Sequence, residues 1–321
     1  MCAMFNNGLR LDRRTFVRAT AGACFTDVVR SVFAEAHLKG PSALAAPPIG
    51  IVLWLKAGQS IGAALQGARS MGFQTCQIGF EQLTAQVSLP LKEALANSQL
   101  TATALSEHGP VRRVFNFYDG PNTIGIVPRA TRSARIINLK LAAKVASECG
   151  IPAIHTHCGF IPEDPNDPLY GETVKAVKEV ATYCQQRGRM FLCETGEETP
   201  TTLLRMIQDV ALDNVFVNLD VANLIMYGKG NPVDAMDVIG KRVRGIHAKD
   251  ALFPTDTRTL GREVPIGEGK VDFAAVFERL KDVNYKGPIT IERETEGAGQ
   301  REDILRSKVF LQNLIARTWS E

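Results

Sequence analysis

The chain is poor in several things at once, and each shortage narrows what it can be. No apolar run approaches the ~20 residues a membrane span needs, so a membrane partner is not expected. There are five histidines in 321 residues, too few to furnish the several imidazole ligands of a multi-metal phosphodiesterase cluster. The seven cysteines are scattered with no Cys-x-x-Cys pair, which argues against a zinc ribbon or a disulfide framework and for free, mostly buried thiols. The formal charge is only +3, too small to imply nucleic acid or an acidic surface as partner. No Gly-rich phosphate turn is present: Gly58-Gln59-Ser60-Ile61-Gly62 does not fit GxGxxG, and no GxxxxGK[ST] occurs, which counts against an open doubly wound nucleotide fold. What remains is ordinary globular material, 45% hydrophobic and 22% charged, with ample substance for one large core.

The first 46 residues read differently from the rest. Asp12-Arg13-Arg14-Thr15-Phe16-Val17-Arg18 resembles a twin-arginine export signal. A weakly apolar stretch follows from Ala19 to Ala36, and Ser42-Ala43-Leu44-Ala45-Ala46 offers small residues at the spacing a signal peptidase accepts. The expectation is a leader over 1–46, delivery to the periplasm in the folded state, and one domain over 47–321. Asp27, Arg30 and Glu35 interrupt the apolar stretch, and the competing expectation is an extension on a cytoplasmic protein.

Beyond Pro48 the pattern is a short apolar run, a loop and an amphipathic helix, repeated. Apolar runs are expected at 49–55, 75–80, 101–106, 151–156, 190–193, 215–219, 243–247 and 288–291. Helices are expected at 60–71, 89–97, 129–149, 172–187, from about 201, 233–239, 271–282 and 302–317. Eight such units let a parallel sheet close on itself, so the expected fold is a (β/α)₈ barrel.

In that architecture chemistry sits at the C-terminal ends of the strands. The fifth run ends Phe191-Leu192-Cys193-Glu194, the sixth Val217-Asn218-Leu219-Asp220, the seventh Gly245-Ile246-His247 and the eighth Ile289-Thr290-Ile291-Glu292. Taken singly, a Glu after a strand is ordinarily a helix cap and a lone His a core residue. A ring of three carboxylates and one imidazole on four successive strands is another matter. The carboxylates would repel one another in a desolvated mouth, and a divalent cation removes that conflict. Three carboxylate oxygens and one imidazole nitrogen suit Mn²⁺, Mg²⁺, Co²⁺ or Zn²⁺. The fourth run adds His155 and His157. His157 is expected to orient substrate, and His155 is expected to face the helices.

Several stretches carry a family resemblance: Cys193-Glu194-Thr195, Leu219-Asp220-Val221-Ala222-Asn223-Leu224, Ile246-His247-Ala248-Lys249-Asp250, Pro265-Ile266-Gly267-Glu268-Gly269-Lys270-Val271-Asp272-Phe273 and Ile289-Thr290-Ile291-Glu292-Arg293-Glu294. From about Ile49 to Leu314 the chain resembles xylose-isomerase-like barrels, in particular sugar phosphate isomerase/epimerase proteins and ketose 3-epimerases. The resemblance implies that Glu194, Asp220, His247 and Glu292 bind the metal, often Mn²⁺, and that Glu194 and Glu292 also move protons. It implies that Arg262 contacts a carbohydrate substrate, and relatives of this kind are often dimers or tetramers. Two positions depart from the pattern. Asn223 stands where the epimerases carry a substrate-binding His, and Pro200 where they carry a Glu, with Glu197 and Glu198 nearby.

The expected chemistry is metal-assisted proton transfer beside a carbonyl through an enediolate. Return of the proton to the opposite face is epimerisation, and return to the neighbouring carbon is isomerisation. Lys249, Asn223, Arg262 and Arg293 are the candidate substrate contacts, although Lys249 with Asp250 also reads as a brace for the His247 loop or as an exposed ion pair. Rival readings are elimination from a 3-keto-sugar or 3-keto-glycoside, including C-glycoside cleavage, and a sugar-binding barrel without catalysis.

Overall fold

The computed structural model describes residues 45–320. The expected leader, with its Arg13-Arg14 pair, lies outside the described residues except for Ala45 and Ala46.

The described chain runs β1 (Ile49–Leu55), α1 (Ile61–Ser70), β2 (Thr75–Phe80), α2 (Ser88–Ser98), β3 (Thr101–Ser106), α3 (Gly120–Thr123), α4 (Arg129–Glu148), β4 (Ala153–His157), α5 (Pro168–Gln185), β5 (Met190–Glu194) and α6 (Pro200–Val210). It continues with β6 (Val215–Asp220), α7 (Val221–Met226), α8 (Pro232–Ile239), β7 (Val243–Ala248), β8 (Asp250–Leu252), β9 (Arg262–Val264), α9 (Phe273–Asp282), β10 (Ile289–Ile291) and α10 (Gln300–Trp319). Eight parallel strands close in the order β1-β10-β7-β6-β5-β4-β3-β2, sealed where Ile49 pairs with Ile289. The (β/α)₈ expectation holds. Among the described residues no helix is long and apolar enough to cross a membrane.

Local chemistry sets the helix ends. α5 starts at Pro168, four residues before the expected position. Asp167 accepts a hydrogen bond from the Leu169 N–H, and Pro168 occupies the first turn, where its missing N–H costs nothing. Along α6, Leu203, Met206, Ile207 and Val210 are buried at the spacing of one helical face. Each such side chain contributes roughly 1.5–3 kcal/mol relative to exposure. Three elements had no expectation: α3, α7 and the antiparallel β8–β9 hairpin. All are too short to show a period. The segment after β9 folds back onto the start of β8 because Asp250 takes up the N–H groups of Ala251, Gly267, Gly269 and Val271. That cradle also fixes the glycine: a Cβ at Gly269 would lie 2.0 Å from the Asp250 carboxylate. Lys249 and Asp250 are both 1% exposed, so the exposed-ion-pair alternative is overturned.

Alternation along the strands divides their side chains between two cores. One face packs on the helices, with Ile51, Ile78, Leu105, Ile154, Phe191, Val217, Ile246 and Ile291 all buried. The other face fills the barrel. Ala104, Ala153 and Leu192, flanked by Met190 and Phe216, form a separate small apolar plug there. Gln77, Asn218 and His247 form a hydrogen-bonded polar group on the same inward face. A Cβ at Gly245 would lie 2.3 Å from Asn218 Oδ1, so only glycine leaves room for that amide. All five cysteines in the described residues are free.

Candidate metal centre

Glu194, Asp220, His247 and Glu292 each offer a ligand atom, and the four atoms lie within 4.8 Å of one another. The first three stand at the C-terminal ends of β5, β6 and β7, and Glu292 directly follows β10. His247 Nδ1 lies 3.0 Å from Glu194 Oε1, 3.3 Å from Glu292 Oε2 and 3.6 Å from Asp220 Oδ2.

Neighbours aim each donor. Asp220 caps α7, its Oδ1 accepting from the Ala222 and Asn223 N–H groups, which leaves Oδ2 facing the centre. The Thr195 hydroxyl donates to the Asp220 carbonyl and accepts from its N–H, tying the end of β5 to β6. Gln77 Nε2 donates to Asn218 Oδ1 at 3.2 Å, so Gln77 Oε1 is the acceptor for His247 Nε2 at 2.7 Å. The N–H of a neutral His247 is thereby fixed on Nε2, and Nδ1 turns its lone pair to the carboxylates. Asp220 Oδ2 and His247 Nδ1 are buried without a hydrogen-bond partner. Buried polar atoms are rarely left this way. These atoms converge on a shared point rather than on each other, and three carboxylate oxygens with one imidazole nitrogen are the donor chemistry of a divalent-cation site. The group fits.

The charges agree. Burial opposes the charge on His247, but Glu292, Glu194 and Asp220 outweigh it and hold the imidazole protonated well above its ordinary range. The extra proton stands in for a cation. Burial pushes the Asp220 carboxyl up to about 6, against the pull of Lys249 and His247. Burial likewise opposes charge on Glu194 and Glu292. His157 and His247 keep Glu194 well below its usual range, and His247 and Lys249 do the same for Glu292.

His155 is corrected. It lies inside the barrel, its Nδ1 3.1 Å from Glu194 Oε2 and its ring 5.3 Å from that of His247. Residues two apart on a strand share a face, so His155 must point where His157 points. His157 Nδ1 is 3.1 Å from Glu197 Oε2, and its Nε2 is 3.8 Å from Glu194. Glu197 and Glu198, each 1% exposed, back this corner. Burial and the neighbouring Glu197 push the Glu198 carboxyl well above its usual range.

The candidate substrate contacts divide. Lys249 reaches Glu294 at 2.7 Å, Glu292 at 3.1 Å and Asn223 Oδ1 at 3.4 Å, so it sits against the centre. Asn223 is 5% exposed beside it. Arg262 is exposed on β9, outside the four-residue cluster. Arg293 is engaged by Glu263 at 2.8 Å and Asp303 at 3.0 Å. Sequence reading missed Gln77, Asn218 and Trp54. Gln77 sits on β2 with the inward parity of Thr75, and that parity was the available signal. Trp54 lies 39% exposed over Gly79, where a Cβ would meet its ring at 1.8 Å, with His108 edge-on at 5.3 Å.

A family profile described as a xylose isomerase-like TIM barrel matches residues 65–313. In sequence the chain is similar to a putative L-ribulose-5-phosphate 3-epimerase of Escherichia coli, 38% identical over 104 residues. That match spans 32% of this chain and 33% of the relative. In structure it is similar to a xylose isomerase domain protein from Planctomyces limnophilus, with a TM-score of 0.78 and 29% identity over 86% of this chain and all of the other. It also shares the fold of a 3-keto-D-glucoside 4-epimerase from E. coli, with a TM-score of 0.60 and 16% identity over 83% of this chain and 99% of the other.

Proposed function

Because this chain belongs to the xylose isomerase-like TIM barrel family, we propose that it is a divalent-cation-dependent sugar epimerase or isomerase acting by proton transfer beside a carbonyl. The observation that carries this is the convergence of four ligand atoms within 4.8 Å, two of them from glutamates able to serve as bases. Glu194, Asp220, His247 and Glu292 would hold the cation; the donor set suits Mn²⁺, Mg²⁺, Co²⁺ or Zn²⁺, and the resemblance to ketose 3-epimerases favours Mn²⁺. When bound, it supplies positive charge against the negative charge that develops as the carbon-bound proton leaves.

The chain's own residues do the rest. Glu194 and Glu292 approach His247 Nδ1 from different strands. One removes the proton and the other returns it. Each is held in place: Glu194 by His155 and His157, Glu292 by Lys249. Lys249 and Asn223 stand beside Glu292 as contacts for a substrate hydroxyl. The carbohydrate relatives named above support a small sugar as substrate.

The test is deuterium uptake at carbon when the Mn²⁺-loaded protein meets a panel of ketoses in heavy water. Uptake next to the carbonyl is expected, and Glu194→Gln or Glu292→Gln should slow it by ~10²–10⁴. Saturable sugar binding with no uptake would instead support a binding barrel. The same first step supports a second reading, elimination from a 3-keto-glycoside. Trp54 and Glu292 share one cavity wall, an aromatic surface beside the centre for an appended group, and this favours it, as does the Asp12–Arg18 stretch, since exported proteins meet glycosides more often than sugar phosphates.

A further inference from the structure

We infer that His108, on the loop after β3, is a further substrate contact: its free ring nitrogen takes a sugar hydroxyl that lies outside the two reacting carbons. This deepens the reading above and rests on the four-residue centre being the sugar site.

Alternation along β3 puts Ala104, Ser106 and His108 on the face that lines the barrel, with Ala104 in the inner apolar plug and His108 just past the strand end. The His108 ring lies 5.2 Å from that of His157 and 5.3 Å, edge-on, from that of Trp54. His157 Nε2 is in turn 3.8 Å from Glu194 Oε1. His108 therefore stands one ring outward from a member of the centre. In the closed order of eight strands, β3 and β7 are four places apart. His108 and Lys249 thus belong to opposite sides of the rim, with the centre between them. A sugar reacting at the centre and held by Lys249 and Asn223 on one side meets His108 on the other.

The two ring nitrogens are unequally used. Nε2 lies 3.1 Å from the Ser106 hydroxyl, and Nδ1 is buried without a hydrogen-bond partner. Buried polar atoms are seldom left so. Burial above all, and then the charges of His157 and Arg113, hold the imidazole neutral, its pKa well below the ordinary range. A neutral ring has one N–H and one lone pair. The Ser106 hydroxyl can engage either, and Nδ1 presents the other. A sugar hydroxyl both donates and accepts, so it matches Nδ1 in both tautomers. The loop also keeps the ring from turning aside. Arg135, 2% exposed on α4, donates to the carbonyls of His108 and Thr123. Glu107 Oε1 accepts from the Gly109 N–H at 2.6 Å. Gly109 has φ +88°, and a Cβ there would lie 2.9 Å from Arg135 Cγ, so only glycine admits that side chain. A buried guanidinium needs hydrogen-bonded partners, and this one takes the backbone on either side of the β3 loop. Trp54 adds an aromatic face beside the imidazole, of the kind that packs on the C–H side of a sugar.

The experiment is calorimetric titration of the full chain with Mn²⁺, using D-fructose, L-ribulose and the monodeoxy analogues of each that lack one hydroxyl away from carbons 2 and 3. Deuterium uptake is measured on both parent sugars. At least one analogue should bind about fivefold or more weakly than its parent, as expected for the loss of one neutral hydrogen bond. His108→Phe keeps a ring against Trp54 and His157 and removes both nitrogens. It should weaken the parent to the level of that analogue and leave the analogue's Kd unchanged. His108→Leu, equally without a polar atom, gives the same reading should the Phe variant lower Tm. No discrimination by the unmodified protein, discrimination that survives both substitutions, or a loss shared equally by parent and analogue overturns the contact. Binding of neither parent overturns it together with the reading on which it rests. Deuterium uptake without discrimination sinks the contact alone. If discrimination depends on His108 and no deuterium enters carbon, the contact holds and the proton-transfer reading fails.

Discussion

Gln77 is the most informative residue to disturb, because it touches no carboxylate and yet decides which His247 nitrogen faces them. Its Oε1 lies 2.7 Å from His247 Nε2 while its Nε2 donates to Asn218 Oδ1, and the side chain is 1% exposed. Gln77→Leu keeps much of the volume and removes both hydrogen bonds. His247 can then place its N–H on either nitrogen, and the tautomer with hydrogen on Nδ1 cannot ligate. Loss of such a supporting partner typically weakens metal affinity ~10–100-fold, equivalent to about 1.4–2.7 kcal/mol. Folding stability should also fall by ~1–3 kcal/mol, as Asn218 Oδ1 and His247 Nε2 are left unpaired. Gln77→Glu separates the effects, since a carboxylate still accepts from His247 Nε2 but has nothing to donate to Asn218. The assay is Mn²⁺ titration by calorimetry beside thermal unfolding of the metal-free protein. A folded Gln77→Leu variant with Mn²⁺ affinity within about threefold of the parent would refute the reasoning.

Three further outcomes are expected. Lys249→Met leaves Glu292 and Asp220 with His247 alone as a buried cation. Breaking a buried pair costs about 3–5 kcal/mol, and with Glu294 half exposed the low end applies, on the order of 6–12 °C in Tm for a domain of this size. A shift below ~2 °C would count against the pairing. Metal affinity should fall with acidity in two regimes. Both Asp220, pushed up to about 6 by burial, and His247, held protonated by the carboxylates, must lose a proton to ligate. Affinity therefore rises about tenfold per pH unit above 6, where only His247 gives up a proton, and more steeply below 6, where two are released. The metal-free protein should show the opposite trend in stability, because a raised carboxyl stabilises the fold below its unfolded value and loses that contribution as pH climbs through 6. A pH-independent Mn²⁺ affinity between 5 and 8 would contradict both assignments. Gly79→Ala places a methyl against the Trp54 ring. It should cost ~1–3 kcal/mol and change tryptophan emission, readable because Trp319 is the only other tryptophan. Unchanged emission and Tm would show that the indole does not rest there.

The strand runs were legible because a parallel barrel strand is apolar on its helix-facing side, and the loops between runs are short enough to count. Ile49–Leu55, Thr75–Phe80 and Thr101–Ser106 appear where the apolar pattern placed them. The four-residue cluster was legible for a related reason. A barrel brings every strand end to one rim, so a titratable residue closing each of four successive runs is already a spatial statement. His155 shows the same logic misapplied, since its parity with His157 was available and places it inside.

What sequence alone determined here is the eight-unit barrel and the convergence of Glu194, Asp220, His247 and Glu292 on one rim, because both follow from period and chain order. Tertiary structure decided the rest. The His247–Gln77–Asn218 chain spans 141 residues of sequence between Gln77 and Asn218. His155 comes within 3.1 Å of Glu194 on the neighbouring strand, and Lys249 gathers Asn223, Glu292 and Glu294. These depend on which side chains face each other across the barrel, and no local pattern in a chain encodes distances between its remote parts.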